Sequence, residues 1–198
     1  ASIATLESLV RIEWNQPNMN IDLSEMHICN CVDHWNSEAC FYLNLYGAPD
    51  EACWPFEPAN RPCSNSCSNW QNRVVKISDF DHISGKDACM TCVASAPILA
   101  AFDVYKDFKY FQGGIYEHVW GEYRGKHSVS IVGYNTTGET DYWIVKTSWP
   151  GEFGIFNFKM DECRIETLAC YSMSGSVLPS IPLAPSSLSA NTVSPSRI

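Results

Sequence analysis

The sequence is short of charge, and shortest of positive charge. Only 18% of its 198 residues are charged, with 13 lysines and arginines against 22 aspartates and glutamates, a net charge of −9. Without a basic cluster the chain has no electrostatic footprint for nucleic acid or for an anionic membrane surface. No apolar run approaches the roughly 20 residues that a membrane span requires. No signal-peptide pattern stands at the start, so the chain reads as mature or processed. The ten cysteines include two closely spaced pairs, Cys29-x-Cys31 and Cys89-x-x-Cys92, but neither has a second pair at zinc-knuckle spacing. No metal and no organic cofactor is expected. An even, dense set of cysteines predicts disulfides formed in an oxidising compartment. The apolar content of 45% suits a globular chain with a core of its own.

What the chain does have is a hairpin with a histidine at its foot. Between Lys126 and Phe158 lie two runs rich in β-branched and aromatic residues, His127–Tyr134 and Asp141–Thr147. The connector, Asn135-Thr-Thr-Gly-Glu-Thr140, is dense in turn formers, which predicts a β-hairpin. If the chain folds back near Thr137, His127 faces Thr147, with Cβ atoms about 5 Å apart. An imidazole beside a short hydrogen-bonding side chain, with Ser148 and Trp149 next to it, is an oriented group of the kind that activates a nucleophile. Asn135-Thr-Thr137, on the hairpin tip, is also the one acceptor sequon for N-glycosylation.

The pattern HSVSIVGYN…DYWIVKTSWPGEFGIFNFK resembles the C-terminal half of papain-like cysteine peptidases, in the flavour of cathepsins B and C. There the order is a histidine opening H-A-V-x-x-V-G-Y, then Y-W-I-x-K-N-S-W-G, a Gly-rich loop and a last strand. Further blocks match in order: ASIATLESLVRI, LSEMHICNC, EACWPF…RPC, APILAAFDVYKDF…GGIY and DECRIE. The resemblance implies an α+β, papain-like two-lobed fold. Residues 1–96 would form a helical, disulfide-rich left lobe and residues 97–173 an antiparallel, β-barrel-like right lobe. Residues 174–198, rich in Ser and Pro, would be a C-terminal tail without strand or helix period.

The resemblance also implies site residues. His127 takes the catalytic histidine's place, Thr147 stands where the family has the orienting asparagine, and Trp149 is the indole that shields their bond. Ser2–Trp14 reads as the body of the long central helix, which in the family opens on the nucleophilic cysteine; that cysteine would fall about four residues before Ala1. Disulfides Cys31–Cys63 and Cys53–Cys67 are implied, and Cys163 with Cys170 is a further guess. Cys40 would match the cysteine of the G-C-x-G-G wall of the substrate cleft, with Ala39, Phe41 and Tyr42 replacing an open glycine wall. Ser24 or Asp22 should cap the short helix before Cys31. His27 reads as an ordinary helix residue, and His118 as a solvated loop histidine.

Scored against the family's chemistry, the chain offers a histidine and an altered orienter but no thiol in front of them. One reading is a catalytically inactive relative, reused outside the cell or in a lysosome-like compartment to bind a peptide or protein ligand or to self-associate through its tail. The alternative is a cysteine endo- or dipeptidyl-peptidase whose nucleophile lies in sequence preceding Ala1.

Overall fold

The computed structural model describes residues 1–32, 35–57, 61–148 and 154–179. Helix α1 (Ser2–Glu13) buries Ile3, Leu6, Leu9 and Val10 on one face. It has no side-chain N-cap, as its sequence predicts. Asn15, at φ +49°, turns the chain out of the helix. Helix α2 (Glu25–Cys31) is capped by Ser24, whose hydroxyl accepts from the His27 N–H. Helix α3 (Asn36–Leu45) follows. The strands are β1 (Ala48–Pro49) and β2 (Val74–Ile83), then, after helix α4 (Lys86–Val93), β3 (Ile98–Tyr105), β4 (Ile115–Tyr116), β5 (Tyr123–Asn135), β6 (Tyr142–Lys146), β7 (Ile155–Lys159) and β8 (Cys170–Val177).

All eight strands join one sheet in the order β1-β2-β8-β3-β5-β6-β7-β4. The pairings are antiparallel except β4 with β7, which is parallel, so the sheet is mixed. Strand β3 sits at its middle. Its first seven residues are all buried, which is why it reads as a near-continuous apolar run rather than an alternating one. Asp103, the one charge within it, meets Arg164 through two hydrogen bonds of 2.7 and 2.9 Å.

Two apolar clusters flank the sheet. One joins α1, α2 and α3 to β1, β2 and residues of β3 and β8; the other joins α4 to β3–β7 around Phe102, Trp143 and Phe158. Cys31–Cys63 and Cys53–Cys67 are disulfide-bonded, the two pairs that the resemblance implies. Each closes a loop whose entropy in the unfolded chain is worth about 3 kcal/mol in the chain-entropy account. No described helix is long and apolar enough to cross a membrane.

Several expectations need correction. Cys40 lies inside α3, buried in the first cluster. Ala39, Phe41 and Tyr42 are therefore helix residues, and Phe41 and Tyr42 line a surface cavity with Phe80. Cys163 and Cys170 are not bonded. Cys163 sits in a turn at φ +48°, whereas Cys170 Sγ lies 2.9 Å from the Ile165 carbonyl. Strand β2 runs on to Ile83, and β8 to Val177. Residues 174–177 thus belong to the sheet, although polarity made them look like tail. Gly175, at φ +68°, lets them pass close to Ser78, where any Cβ would come within 2.7 Å. The Glu13 carboxylate accepts from the Gly175 and Ser176 amides and holds the strand end down. Residues 180–198 lie outside the described residues. His118 is no simple solvated side chain: its ring stacks on Tyr105 at 3.8 Å, and Nδ1 meets the Asp107 carboxylate at 3.0 Å.

His27 is 0% exposed. Nδ1 pairs with Ser66 Oγ at 2.7 Å and Nε2 with Tyr42 Oη at 3.0 Å. Burial pushes its pKa down to about 4, whereas in the unfolded chain it is near 6.5. As pH falls below the unfolded value, the unfolded state takes up the proton first. The stability that neutral His27 supports is therefore complete above about pH 7 and is lost as pH falls through the window from 6.5 to about 4. The full loss is on the order of 3 kcal/mol. Urea midpoints should drop across that window, and an NMR titration should find the His27 ring neutral at pH 5.5.

Candidate active site

The hairpin brings His127 and Thr147 together, but not by the register that the sequence suggests. Ser130 pairs with Lys146 and Ile131 with Val145, and a bulge follows before Gly133. Carried one residue further, this ladder sets Thr147 opposite Val129. His127 is two residues on along β5, a diagonal neighbour on the same face. The side chains close the gap: His127 Nε2 lies 2.7 Å from Thr147 Oγ1. The Thr147 amide donates to the Gly154 carbonyl at 3.1 Å, fixing the residue beyond the end of β6. Trp149 lies outside the described residues.

The imidazole is held from beneath as well. Its register partner on β3 is Phe102, whose ring stands edge-on to it at 5.9 Å and 88°. Helix α1 docks with its N-terminal end toward the ring. Thr5 Oγ1 hydrogen-bonds Ser130 Oγ at 2.9 Å, which pins the first turn of α1 against β5. Burial pushes the His127 pKa down to about 4.

A cavity of about 650 Å³ opens on the other face of β5 from this pair, between the start of α3 and strands β3 and β5. Lys126 and Ser128, which flank His127 in the chain, line it with Trp35, Asn36, Tyr123 and Leu168. Strand alternation sends residues 126 and 128 to the face opposite His127. That signal was available in the sequence for Lys126 and Ser128. Asn36 carried none, because placing Cys40 in a loop hides the start of α3. Of the ten cysteines, six are free. Burial raises the Cys40 thiol, buried in α3, to about 12, and raises the Cys163 thiol to about 12, with the Glu162 charge adding to it. Neither is placed to attack as a thiolate.

Comparison with known proteins agrees with this geometry. Residues 1–173 match the papain family of cysteine proteases, and the chain belongs to that family. It is 44% identical over 167 residues to cathepsin B-like CP1 of Giardia intestinalis, covering 74% of this chain and 55% of the relative. It is 32% identical over 154 residues to cathepsin B-like CP3 of the same organism, 69% of this chain and 50% of the relative. The chain thus spans about half the length of the curated relatives it matches. Among solved structures, procathepsin B S9 of Trypanosoma congolense superposes with a TM-score of 0.73 at 20% identity, over 88% of this chain and 66% of that one. The bromelain protease of Ananas comosus, in complex with the E64 inhibitor, gives 0.71 at 23%, over 88% and 86%. These two likenesses establish the papain-like α+β fold.

Proposed function

We propose that this chain carries the histidine half of a peptide-cleaving cysteine peptidase centre. The observation that carries the reading is the 2.7 Å bond from His127 to Thr147 with the start of α1 aimed at the same ring. A helix N-terminus favours an anion, and it lowers the pKa of a cysteine placed there. By the family resemblance the nucleophile lies about four residues before Ala1, at the opening of this same helix. With Nε2 committed to Thr147, Nδ1 is the nitrogen that takes the thiol proton and returns it to the leaving amine. The cavity lined by Lys126 and Ser128, on either side of His127 in the chain, would seat a side chain of the peptide.

This favours the peptidase over a purely binding or assembly domain. One argument for inactivity weakens: threonine reaches the ring despite its short side chain. The disulfides suit a secretory or lysosome-like location. In such a compartment Asn135 would be a glycan acceptor, its Oδ1 accepting from the Thr137 amide at 2.9 Å.

Turnover of a peptide reporter by the natural polypeptide, as its gene encodes it, tests the reading; no turnover together with tight peptide binding would favour the non-catalytic alternative. Thr147 is a positioning residue. Thr147→Val should lower kcat/KM by about 10- to 100-fold through loss of one hydrogen bond to a group that becomes charged. It should also move the acid limb of the pH profile, while Thr147→Asn should restore both. A variant with unchanged pH profile would remove Thr147 from the mechanism.

A further inference from the structure

The cavity lined by Lys126 and Ser128 has a chemical bias that follows from which of its polar atoms are already committed. Asn36 is 7% exposed. Its Nδ2 donates to the Ala169 carbonyl at 3.0 Å, and its Oδ1 accepts from Ser128 Oγ at 2.7 Å. Ser37 donates to Glu38 at 2.8 Å. What remains to greet a ligand is donor-rich: the Lys126 ammonium and the ring donors of Trp35 and Tyr123. No carboxylate among the described residues lines the cavity. Lys126 makes no ion pair among the described residues, and its ammonium stands 5.0 Å from the Trp35 ring centroid. The indole face attracts and orients the lysine head, and an anionic partner there gains a charge-assisted hydrogen bond. The walls, Leu168 and Ala101 among them, suit an apolar stem.

We propose that this cavity selects a peptide side chain ending in a carboxylate, glutamate above all, with Lys126 as the residue that determines the preference. The proposal rests on the peptidase reading for its biological sense, and its test is arranged to separate the two. Labelled peptides differing only in Glu, Gln, Leu or Lys at the pocket position are titrated against the chain by fluorescence anisotropy. They are then offered as substrates to the natural polypeptide. Glu should bind about tenfold tighter than Gln, and Lys126→Gln should erase that difference while leaving the Gln peptide unaffected. Equal binding of Glu and Gln, a preference that survives Lys126→Gln, or no binding of any peptide would each overturn the proposal. Turnover of the Gln or Leu peptide would leave the peptidase reading standing in those cases. Glu preference without turnover would sink the peptidase reading and keep this one.

A second, independent observation concerns two buried thiols. Cys89 on α4 and Cys170 at the start of β8 are each 0% exposed. Their sulfurs face consecutive carbonyls, Cys170 Sγ at 2.9 Å from Ile165 O and Cys89 Sγ at 3.9 Å from Glu166 O. The two thiols also hydrogen-bond each other. The structure assigns Cys89 and Cys170 as the site of a third disulfide, which would tie α4 to the strand whose neighbours Leu168 and Ala169 line the cavity. The oxidant is a low-molecular-weight disulfide of the secretory compartment. One protein thiolate displaces one of its halves to form a mixed disulfide, and the second displaces the other, so two small thiols leave as one protein S–S bond forms. Because both sulfurs are buried in the fold, the exchange happens during folding.

Secreted protein, denatured in an alkylating agent without reductant and mapped by mass spectrometry, provides the test. A Cys89–Cys170 linked peptide with Cys29, Cys40, Cys92 and Cys163 alkylated is expected. Alkylation of both Cys89 and Cys170 in protein whose Cys31–Cys63 link is intact would overturn it.

Discussion

Replacing His127 by alanine is expected to lower kcat/KM of the natural polypeptide by roughly 100- to 10,000-fold, the range for removing a positioned acid–base group. The expectation follows from where the ring sits. Phe102 supports it edge-on, Thr147 holds Nε2, and the first turn of α1 faces it. No second described histidine can take over: His27 is sealed among Ser66, Tyr42 and Trp70, His118 is bound to Asp107, and His82 lies on β2 against Tyr171. The loss should fall on kcat more than on KM, because the cavity that would seat the peptide lies on the other face of β5. A variant that keeps substantial turnover would move the chemistry elsewhere in the molecule. A parallel urea titration should find its stability close to that of the parent, so that a lost fold is not mistaken for lost chemistry.

The largest stability effect is expected at Trp143. Its side chain is 0% exposed at the centre of the second cluster, and its ring stands edge-on to Tyr134 at 6.0 Å. Its indole N–H donates to Glu166 Oε1 at 2.6 Å. Glu166 is 3% exposed, and burial raises its pKa. The same oxygen also accepts from the Asp161 amide at 2.8 Å. Trp143→Ala therefore opens a cavity and strips a buried carboxyl of one of its donors. A loss of about 3–5 kcal/mol is expected from the cavity alone, with about 1–3 kcal/mol more from the carboxyl's lost partner. Trp143→Phe, which keeps most of the ring, should cost much less. Chemical denaturation of the two variants measures the difference; equal small losses would mean that the cluster relaxes around the gap and that the indole bond contributes little.

Much of this was legible in the chain. The hairpin, its histidine and threonine, the α1 face and the apolar β3 run are periodic patterns that local physics enforces. The two disulfides came from the family resemblance and not from spacing. The failures have physical causes too. The chain folds back between Gly138 and Glu139 rather than near Thr137, and the bulge before Gly133 offsets only part of that shift; neither leaves a reliable trace in a string of residues. Strand β2 beyond Ile77 and the end of β8 are polar, because they are largely solvated and held by backbone pairing. Periodicity has nothing to read there. The start of α3 was hidden by matching Cys40 to a loop cysteine, when its burial at mid-helix makes it a small apolar core residue. With α3 misplaced, the cavity between it and β5 could not be seen, although Lys126 and Ser128 stood on either side of His127.

The central claim is that the start of α1 and the His127–Thr147 pair form one catalytic centre. Its most direct test is to treat the natural polypeptide with an epoxide thiol reagent and map the adduct by mass spectrometry. The account predicts a single rapid label on a cysteine upstream of Ala1, at the opening of the same helix, suppressed by His127→Ala. Absence of labelling, or a label confined to Cys29 or Cys92, would contradict it.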